Sequence, residues 1–267
     1  MTNLLEAESH FAFGKNWRSF AGLIDVKRIK GSDAGVDRLF PGRELEGKTV
    51  LDIGCGSGLP ALSLLRKGAK HVTCIDIDSD SVAAATQTLE TNAPAENWSA
   101  EVCSVFDMAG QFDIVYSWGV LHHTGDMWTA IDKAAAMVKP GGKLVIAIYA
   151  KTALCTLWKL EKLIYSRSPK IIQWLIQRAY LAVEFLARLR AGRNVGNEQQ
   201  RGMDRVHDIH DWLGGYPYES ASPEEIVAAL PGFVLERQLL IPGRRHGLLG
   251  SGCDEYVFYR QPCTAPA

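Results

Sequence analysis

Val50-Leu51-Asp52-Ile53-Gly54-Cys55-Gly56-Ser57-Gly58-Leu59-Pro60 is the stretch on which the reading of this chain turns. Val50, Leu51 and Ile53 make a short apolar run of strand length. Gly54, Gly56 and Gly58 then remove every second side chain, so the backbone can bend sharply and lie close to a ligand. Pro60 suits the first turn of a helix, where its missing N–H has no partner to lose. The spacing predicts a buried strand, a tight turn and a helix N-terminus with free amides facing whatever sits over the loop.

A dinucleotide fingerprint, G-x-G-x-x-G, fails here because Leu59 stands at its third glycine. A phosphate-gripping P-loop fails because no Gly-Lys-Ser/Thr follows. What remains, Asp-x-Gly-x-Gly-x-Gly, resembles motif I of the class I S-adenosylmethionine (SAM) dependent methyltransferases. In that family the loop carries the methionine portion of SAM and the acidic residue, here Asp52, helps with its ammonium end. Gly54, Cys55 and Gly56 are the loop positions the resemblance assigns to the cofactor.

Working outward, His71-Val72-Thr73-Cys74-Ile75-Asp76 reads as the second strand, after a helix over about 59–67. Asp76 then falls at the strand's C-terminal end, the edge where open α/β sheets bind ligands. A carboxylate there can accept from both ribose hydroxyls of an adenosine, with Ile77 against the adenine. A helix over 79–89 precedes a third strand expected at 100–107. Asp107 matches the acidic position that in the family often accepts from the adenine amino group, with Val105 and Phe106 adjoining the ring; a helix-capping Asp looks the same in sequence. The fourth strand, 112–119, leads into Val120-Leu121-His122-His123-Thr124, a segment similar to the one after which small-molecule methyltransferases place substrate-facing residues. Trp118 is expected where that strand ends over the cofactor. Adjacent histidines do not share a helix face, so a metal pair is not expected; one of them should cap or pack at the next helix. A helix over 127–138, a Pro-Gly turn and a fifth strand over 143–149 complete an alternation that implies right-handed crossovers and a parallel sheet. The resemblance covers about residues 48–150.

The flanks are read as additions to this core. Residues 1–45 are expected to form an N-terminal helical lid, where the aromatic stretch from His10 and Phe11 to Phe20 packs Phe13, Trp17 and Phe20 onto the domain and turns aromatic faces toward a cationic sulfonium. Residues 151–219 form a helical insertion, with helices over 154–163 and 171–189. In the second helix Ile172, Leu175, Ala179, Val183, Leu186 and Leu189 recur at three- and four-residue spacing. That stripe is expected to pack over the catalytic edge rather than lie on a membrane surface. Residues 201–219, dense in polar and aromatic side chains, read as an ordered loop with a task. Ser222-Pro223-Glu224-Glu225 is a capping box, and residues 220–267 should supply strands six and seven, the last antiparallel in the family, then a loose tail from Gln261. The fold class is thus α/β, a seven-stranded, mostly parallel, doubly wound Rossmann-like sheet over a 46–150 cofactor core.

The totals narrow the function. With 267 residues, 47% hydrophobic, the chain can bury one sizeable core. Its 29 Lys and Arg against 30 Asp and Glu leave no basic excess for a nucleic-acid backbone. Cys55, Cys74, Cys103, Cys155, Cys253 and Cys263 lack C-x-x-C pairing, which fits reduced thiols rather than zinc or a disulfide framework. The first residues lack the features of a signal peptide, and no run reaches the length of a membrane span, so a cytoplasmic protein is expected. The resemblance implies SAM as cofactor and in-line methyl transfer to a small-molecule acceptor. The alternatives are a SAM-consuming cyclase that closes an azetidine ring and releases 5′-methylthioadenosine, a nucleic-acid methyltransferase, and a non-catalytic SAM-binding protein. Phe13, Tyr149, Tyr216 and Tyr218 are the expected pocket walls. Tyr149, His10, His207, His210, Asp211, Tyr216 and Tyr218 are open candidates for an acceptor base, with none assigned. Oligomeric state stays open.

Overall fold

A computed structural model describes residues 13–190, 202, 205–240 and 252–262. His10, Phe11, Cys263, the tail beyond Pro262 and three residues of the 201–219 stretch (Arg201, Met203 and Asp204) lie outside the described residues. Seven strands form one sheet in the order β3-β2-β1-β4-β5-β7-β6. They are β1 (Thr49–Ile53), β2 (His71–Asp76), β3 (Trp98–Val102), β4 (Phe112–Trp118), β5 (Val138–Tyr149), β6 (Phe233–Leu239) and β7 (Cys253–Arg260). Every pairing among β1 to β5 is parallel, and β7 runs antiparallel to both neighbours. The strand order reverses between β1 and β4, which is the switch point over which such sheets bind ligands.

Helices cover both faces. On one, α2 (Val26–Leu39), α3 (Leu59–Arg66) and α4 (Ser79–Asn92) bury Val36, Leu39, Leu62, Leu64, Ala85 and Leu89 against Val50, Val72 and Ile114. On the other, α5 (Met127–Ala136) and α9 (Pro223–Ala228) bury Met127, Ile131 and Ile226 against Leu51, Val115 and Leu144. The strands buried on both sides are the continuous apolar runs, as a parallel sheet requires. The helix starts follow local chemistry. Asp25, Asp78 and Asp126 each accept a backbone N–H of their own first turn, and Ser222 with Glu225 closes the expected capping box.

The remaining helices gather at the strands' C-terminal edge. They are α1 (Phe13–Ala21), α6 (Cys155–Arg167), α7 (Lys170–Arg190) and α8 (Arg205–Gly214), with a small core of Tyr165, Ile209 and Leu213.

Four readings change. β3 is Trp98–Val102 rather than 100–107: Val105 and Phe106 are apolar because a turn after the strand drops them onto the α5-side core. β5 begins at Val138, not Lys143. Phe112 faces Val138 while Ile114 faces Lys143, so the Pro-Gly segment bulges out as excess chain within the strand. The 201–219 stretch is not a loop throughout, since α8 occupies Arg205–Gly214. In α7 the regular apolar stripe faces outward: Ile172, Leu175, Val183, Leu186 and Leu189 are between 40 and 55% exposed, whereas Ile176, Tyr180 and Leu181 do the packing.

The tightest point of the fold is the turn after β1. Gly58 has φ +72°, and a Cβ added there would lie 2.7 Å from the Cα of Ala85. Gly58→Ala is therefore expected to destabilise the protein by at least about 1–3 kcal/mol through backbone strain and overpacking of α3 on α4. Urea unfolding reads this directly, and an unchanged midpoint would show that the two helices can separate at little cost.

Candidate functional site

The site is built on the β1 turn. The amides of Gly54 and Cys55 both donate to the carbonyl of Ile75, tying the turn to β2 at 2.8 and 3.1 Å. Gly54, Gly56 and Gly58 all have positive φ, and a Cβ on Gly54 would meet Val120 at 2.3 Å. The result is a cradle with no side chain between backbone and ligand. Asp52 is buried at the end of β1. Asp76, at the end of β2, accepts from the amides of Gly56 (3.2 Å) and Asp78 (3.0 Å). Burial pushes its carboxyl up to about 6 against those bonds. The turn after β3 runs beside it, with the Cys103 amide donating to the Asp76 carbonyl. Asp107 is exposed there, Ile77 and Phe106 are half-buried, and Val105 belongs to the core. Buried Cys55 faces the α2–α4 side, and its hydrogen bond with Cys74, together with burial, raises its thiol well above the usual range.

Helix α1 closes over this cradle. The Gly14 amide donates to Asp78 at 2.9 Å, and Arg18 pairs with Asp80 at 2.8 Å. Trp17 lies over the turn, its ring 3.0 Å from where a Gly56 Cβ would be. Trp118 ends β4 but turns toward β7, its indole N–H donating to Glu255 at 2.8 Å. Glu255 in turn holds Arg38 at 2.7 Å.

Beside the cradle, at the ends of β4 and β5, the cap makes an aromatic box. Tyr149 is its centre, with ring centroids 3.9 Å from His122, 5.0 Å from Trp212 and 5.3 Å from Tyr218. Phe13 reaches the same cluster through His123 at 5.6 Å. His123 bonds the Pro217 carbonyl through Nδ1 at 2.7 Å, while His122 packs fully buried beneath Tyr149. Burial holds His122 well below its ordinary range and raises Tyr149 far above its own, so both are neutral. The Tyr218 hydroxyl donates to the thiol of Cys155 at 3.4 Å. Tyr216 is half-buried, and no ring contact joins it to the box among the described residues. His207 and His210 sit outside the box, against Ser19 and Tyr165.

Three residues of the box, His122, Trp212 and Lys162, are not among the expected pocket walls. Lys162 of α6 is 0% exposed, and its Nζ lies 3.3 Å above the centroid of Trp212 and 5.5 Å from that of Tyr218. Among the described residues Nζ makes no hydrogen bond within ordinary geometry, and it forms an ion pair with the Glu161 carboxylate at 3.5 Å. Desolvation lowers its pKa to about 7. The signal was present: Trp158, Lys162 and Tyr165 recur at four- and three-residue spacing, which places the lysine on an aromatic face rather than a solvated one.

The two outlying motifs also meet. Asn16 of α1 donates to Asp211 of α8 at 2.6 Å and to the His207 carbonyl at 3.1 Å, joining lid to cap.

A glycine cradle at the switch point, a carboxylate ending β2 and a helical cap after β5 define the fold of a class I SAM-dependent methyltransferase. The family model described as methyltransferase domain matches residues 27–188, more than half of the chain, and the chain belongs to that SAM-binding family. An uncharacterised methyltransferase of Mycobacterium tuberculosis (strain ATCC 25618 / H37Rv) is 36% identical over 129 residues, 48% of this chain and 63% of that protein. A ubiquinone biosynthesis O-methyltransferase of Rhizobium etli is 31% identical over 141 residues, 53% of this chain and 54% of that protein. The chain thus spans less than two thirds of the curated relatives it matches. Magnesium protoporphyrin IX methyltransferase from Synechocystis PCC 6803, crystallised with bound S-adenosylhomocysteine, shares the fold at 20% identity and a TM-score of 0.56, over 92% of this chain and 94% of that one.

Burial raises the Asp211 carboxyl well above the ordinary range, opposed by its bond from Asn16. The folded chain therefore keeps a proton that the unfolded chain releases from about pH 4 upward, and stability falls as pH rises from there toward the folded value. Asp211→Asn preserves the acceptor oxygen and removes the titration. Its melting temperature is expected to match wild type in acid and to gain on it as pH rises; a difference that stays flat across pH would show that Asp211 ionises as readily folded as unfolded.

Proposed function

We propose that this chain transfers the methyl group of SAM to a hydroxyl-bearing small molecule held in the aromatic box. The observation that carries this reading is Lys162, a buried amine over the rings of Trp212 and Tyr218, paired with Glu161 at 3.5 Å, in the box that those two rings form with Tyr149 beside the cofactor cradle. The name of the Rhizobium etli relative, an O-methyltransferase, supports an oxygen acceptor.

In this reading Gly54, Cys55 and Gly56 hold the methionine portion of the cofactor, with Asp52 near its ammonium end. Asp76 accepts from the ribose hydroxyls, and Ile77, Phe106 and Asp107 border the adenine. Val105 supports that border from the core. Trp17 and Phe13 close the lid, which excludes water from the cleft. Bound SAM supplies an electrophilic methyl on a sulfonium, and the protein's task is to align an acceptor with it. Trp118, held by Glu255, supports the end of β4 rather than walling the box. Neutral Tyr149 and His122 orient the acceptor, while Lys162, uncharged for part of its population near neutrality, takes the hydroxyl proton.

Incubation with SAM and a panel of phenolic and aliphatic hydroxyl acceptors, followed by mass spectrometry, tests the reading. A product heavier by one methylene supports it. Protein-dependent release of 5′-methylthioadenosine with no acceptor present would replace it by cyclisation.

Two residue-level outcomes follow. Protonating Asp76 removes an acceptor for the ribose diol, so SAM affinity measured by calorimetry should weaken as pH falls through about 6. Asp76→Asn should bind more weakly, on the order of tenfold or more, and lose that pH step; affinity unchanged in the variant would move the ribose elsewhere. For Lys162, turnover should rise with pH through about 7 as the amine loses its proton. Lys162→Met should lower kcat on the order of 10²–10⁴-fold, abolish that limb and leave SAM affinity intact. Because Lys162→Met alone leaves half-buried Glu161 without its ion partner, the double variant Lys162→Met, Glu161→Gln, which removes both charges of the pair, serves as the folding control. A fall in SAM affinity with kcat and its pH profile unchanged would remove Lys162 from the proton transfer.

A further inference from the structure

The most regular apolar stripe in the sequence is not used inside the fold. On α7, Leu175, Val183, Leu186 and Leu189 are each more than half exposed, and Ile172 is 40% exposed. Trp174 and Phe185 lie on the same outward half of the helix, 50 and 48% exposed. On α6, joined to α7 by Ser168 and Pro169, Leu157, Leu160 and Ile164 make a second outward stripe, again more than half exposed. Apolar side chains scattered singly on a surface need no explanation, but two helical stripes on consecutive helices do.

Charge says what fits this face. Between Cys155 and Arg190 the sequence carries six Lys and Arg besides the buried Lys162, against two Glu, in a chain that totals 29 against 30. The rest of the chain is accordingly acidic. Lys159, Arg167, Lys170, Arg178 and Arg190 are exposed, and the Arg178 guanidinium lies 5.5 Å from the centroid of the Trp174 ring. Long basic side chains can lay their stems along apolar surface and keep their charge at a polar boundary, where tryptophan is also favoured. No helix among the described residues is long and apolar enough to cross a membrane.

We propose that the outward faces of α6 and α7 dock on the surface of an anionic lipid bilayer. Apolar side chains enter the acyl boundary and the surrounding Lys and Arg meet the headgroups, as in helices that lie in the interface plane. A second copy of the chain fits less well. A two-fold contact sets each patch against itself, so an excess of positive charge would face an identical excess. An anionic surface neutralises it.

The test uses the full chain and flotation with vesicles of phosphatidylcholine, with and without phosphatidylglycerol. Binding is expected on the anionic vesicles, weaker by roughly tenfold on the neutral ones, and lowered by salt. The double substitution Leu175→Glu and Leu186→Glu, at two exposed positions outside the cofactor and acceptor sites, should reduce binding at least about tenfold. Melting temperature and SAM affinity should not change. Failure to float with anionic vesicles, or floating unaltered by the double substitution, overturns the proposal. So does a dimer in sedimentation velocity that the same substitutions dissociate, because the face would then belong to a second copy.

Discussion

The turn after β1 leaves no room for a side chain on either side, and the rest of the structure is arranged around that fact. Val120 presses on it at Gly54, Trp17 at Gly56 and Ala85 at Gly58. These three neighbours come from the segment after β4, the lid helix and α4, so one stretch of bare backbone sets the positions of three elements. Asp76 reinforces the arrangement by accepting from Gly56 and Asp78, and Asp78 then receives the Gly14 amide. A hydrogen-bonded path therefore runs from the cradle to the lid. Asn16 extends it to the cap through Asp211. Lid, cradle and cap are joined by bonds to groups that are wholly or partly withdrawn from water, where leaving a partner unsatisfied costs about 1–3 kcal/mol.

Burial also sorts the titratable groups of the box. Desolvation favours the uncharged form of each. For Tyr149 and His122 this moves the titration far from neutrality, so neither changes charge under ordinary conditions. For Lys162 the same force acts on a group whose ordinary value is high, and it brings the amine to about 7. Glu161 moderates the shift from 3.5 Å, while its own carboxyl is raised by burial. The box thus contains two neutral hydrogen-bonding groups and one amine that can change charge near neutral pH. That division follows from starting pKa values and burial alone.

The parts legible in sequence are those whose chemistry is local. A glycine turn between an apolar strand and a helix, the Asp76 carboxylate ending β2 and a capping box all depend on near neighbours, and these stand where the spacing placed them, whereas Asp107 lies in a turn beyond β3. The errors lie where long-range packing decides. Val105 and Phe106 looked like strand because apolar residues in a turn resemble apolar residues in a strand until the helix that covers them is known. The Pro-Gly segment looked like a stop, yet β4 tolerates it as a bulge because hydrogen bonding resumes at Lys143. Tyr216 and Tyr218 looked equivalent at two-residue spacing, but Tyr218 alone enters the box by ring contacts among the described residues. Asn16 and Asp211 are separated by 195 positions, and nothing local announces that they meet.

Helix α6 shows why periodicity alone could not choose an inside. Trp158, Lys162 and Tyr165 lie along one side, and Leu157, Leu160 and Ile164 lie along the other, as a repeat of 3.6 residues per turn requires. The apolar side is the one a simple hydrophobic count would bury. Yet the side turned inward carries an amine, a phenol and an indole, and the aliphatic side faces out. An inward face of this kind gives up some hydrophobic burial in return for groups that can hydrogen-bond and change charge. That exchange is intelligible if the box is a place for chemistry rather than a core. The aliphatic face left outside then has to be covered by something other than this fold, and the excess of basic residues from Cys155 to Arg190 restricts what that can be.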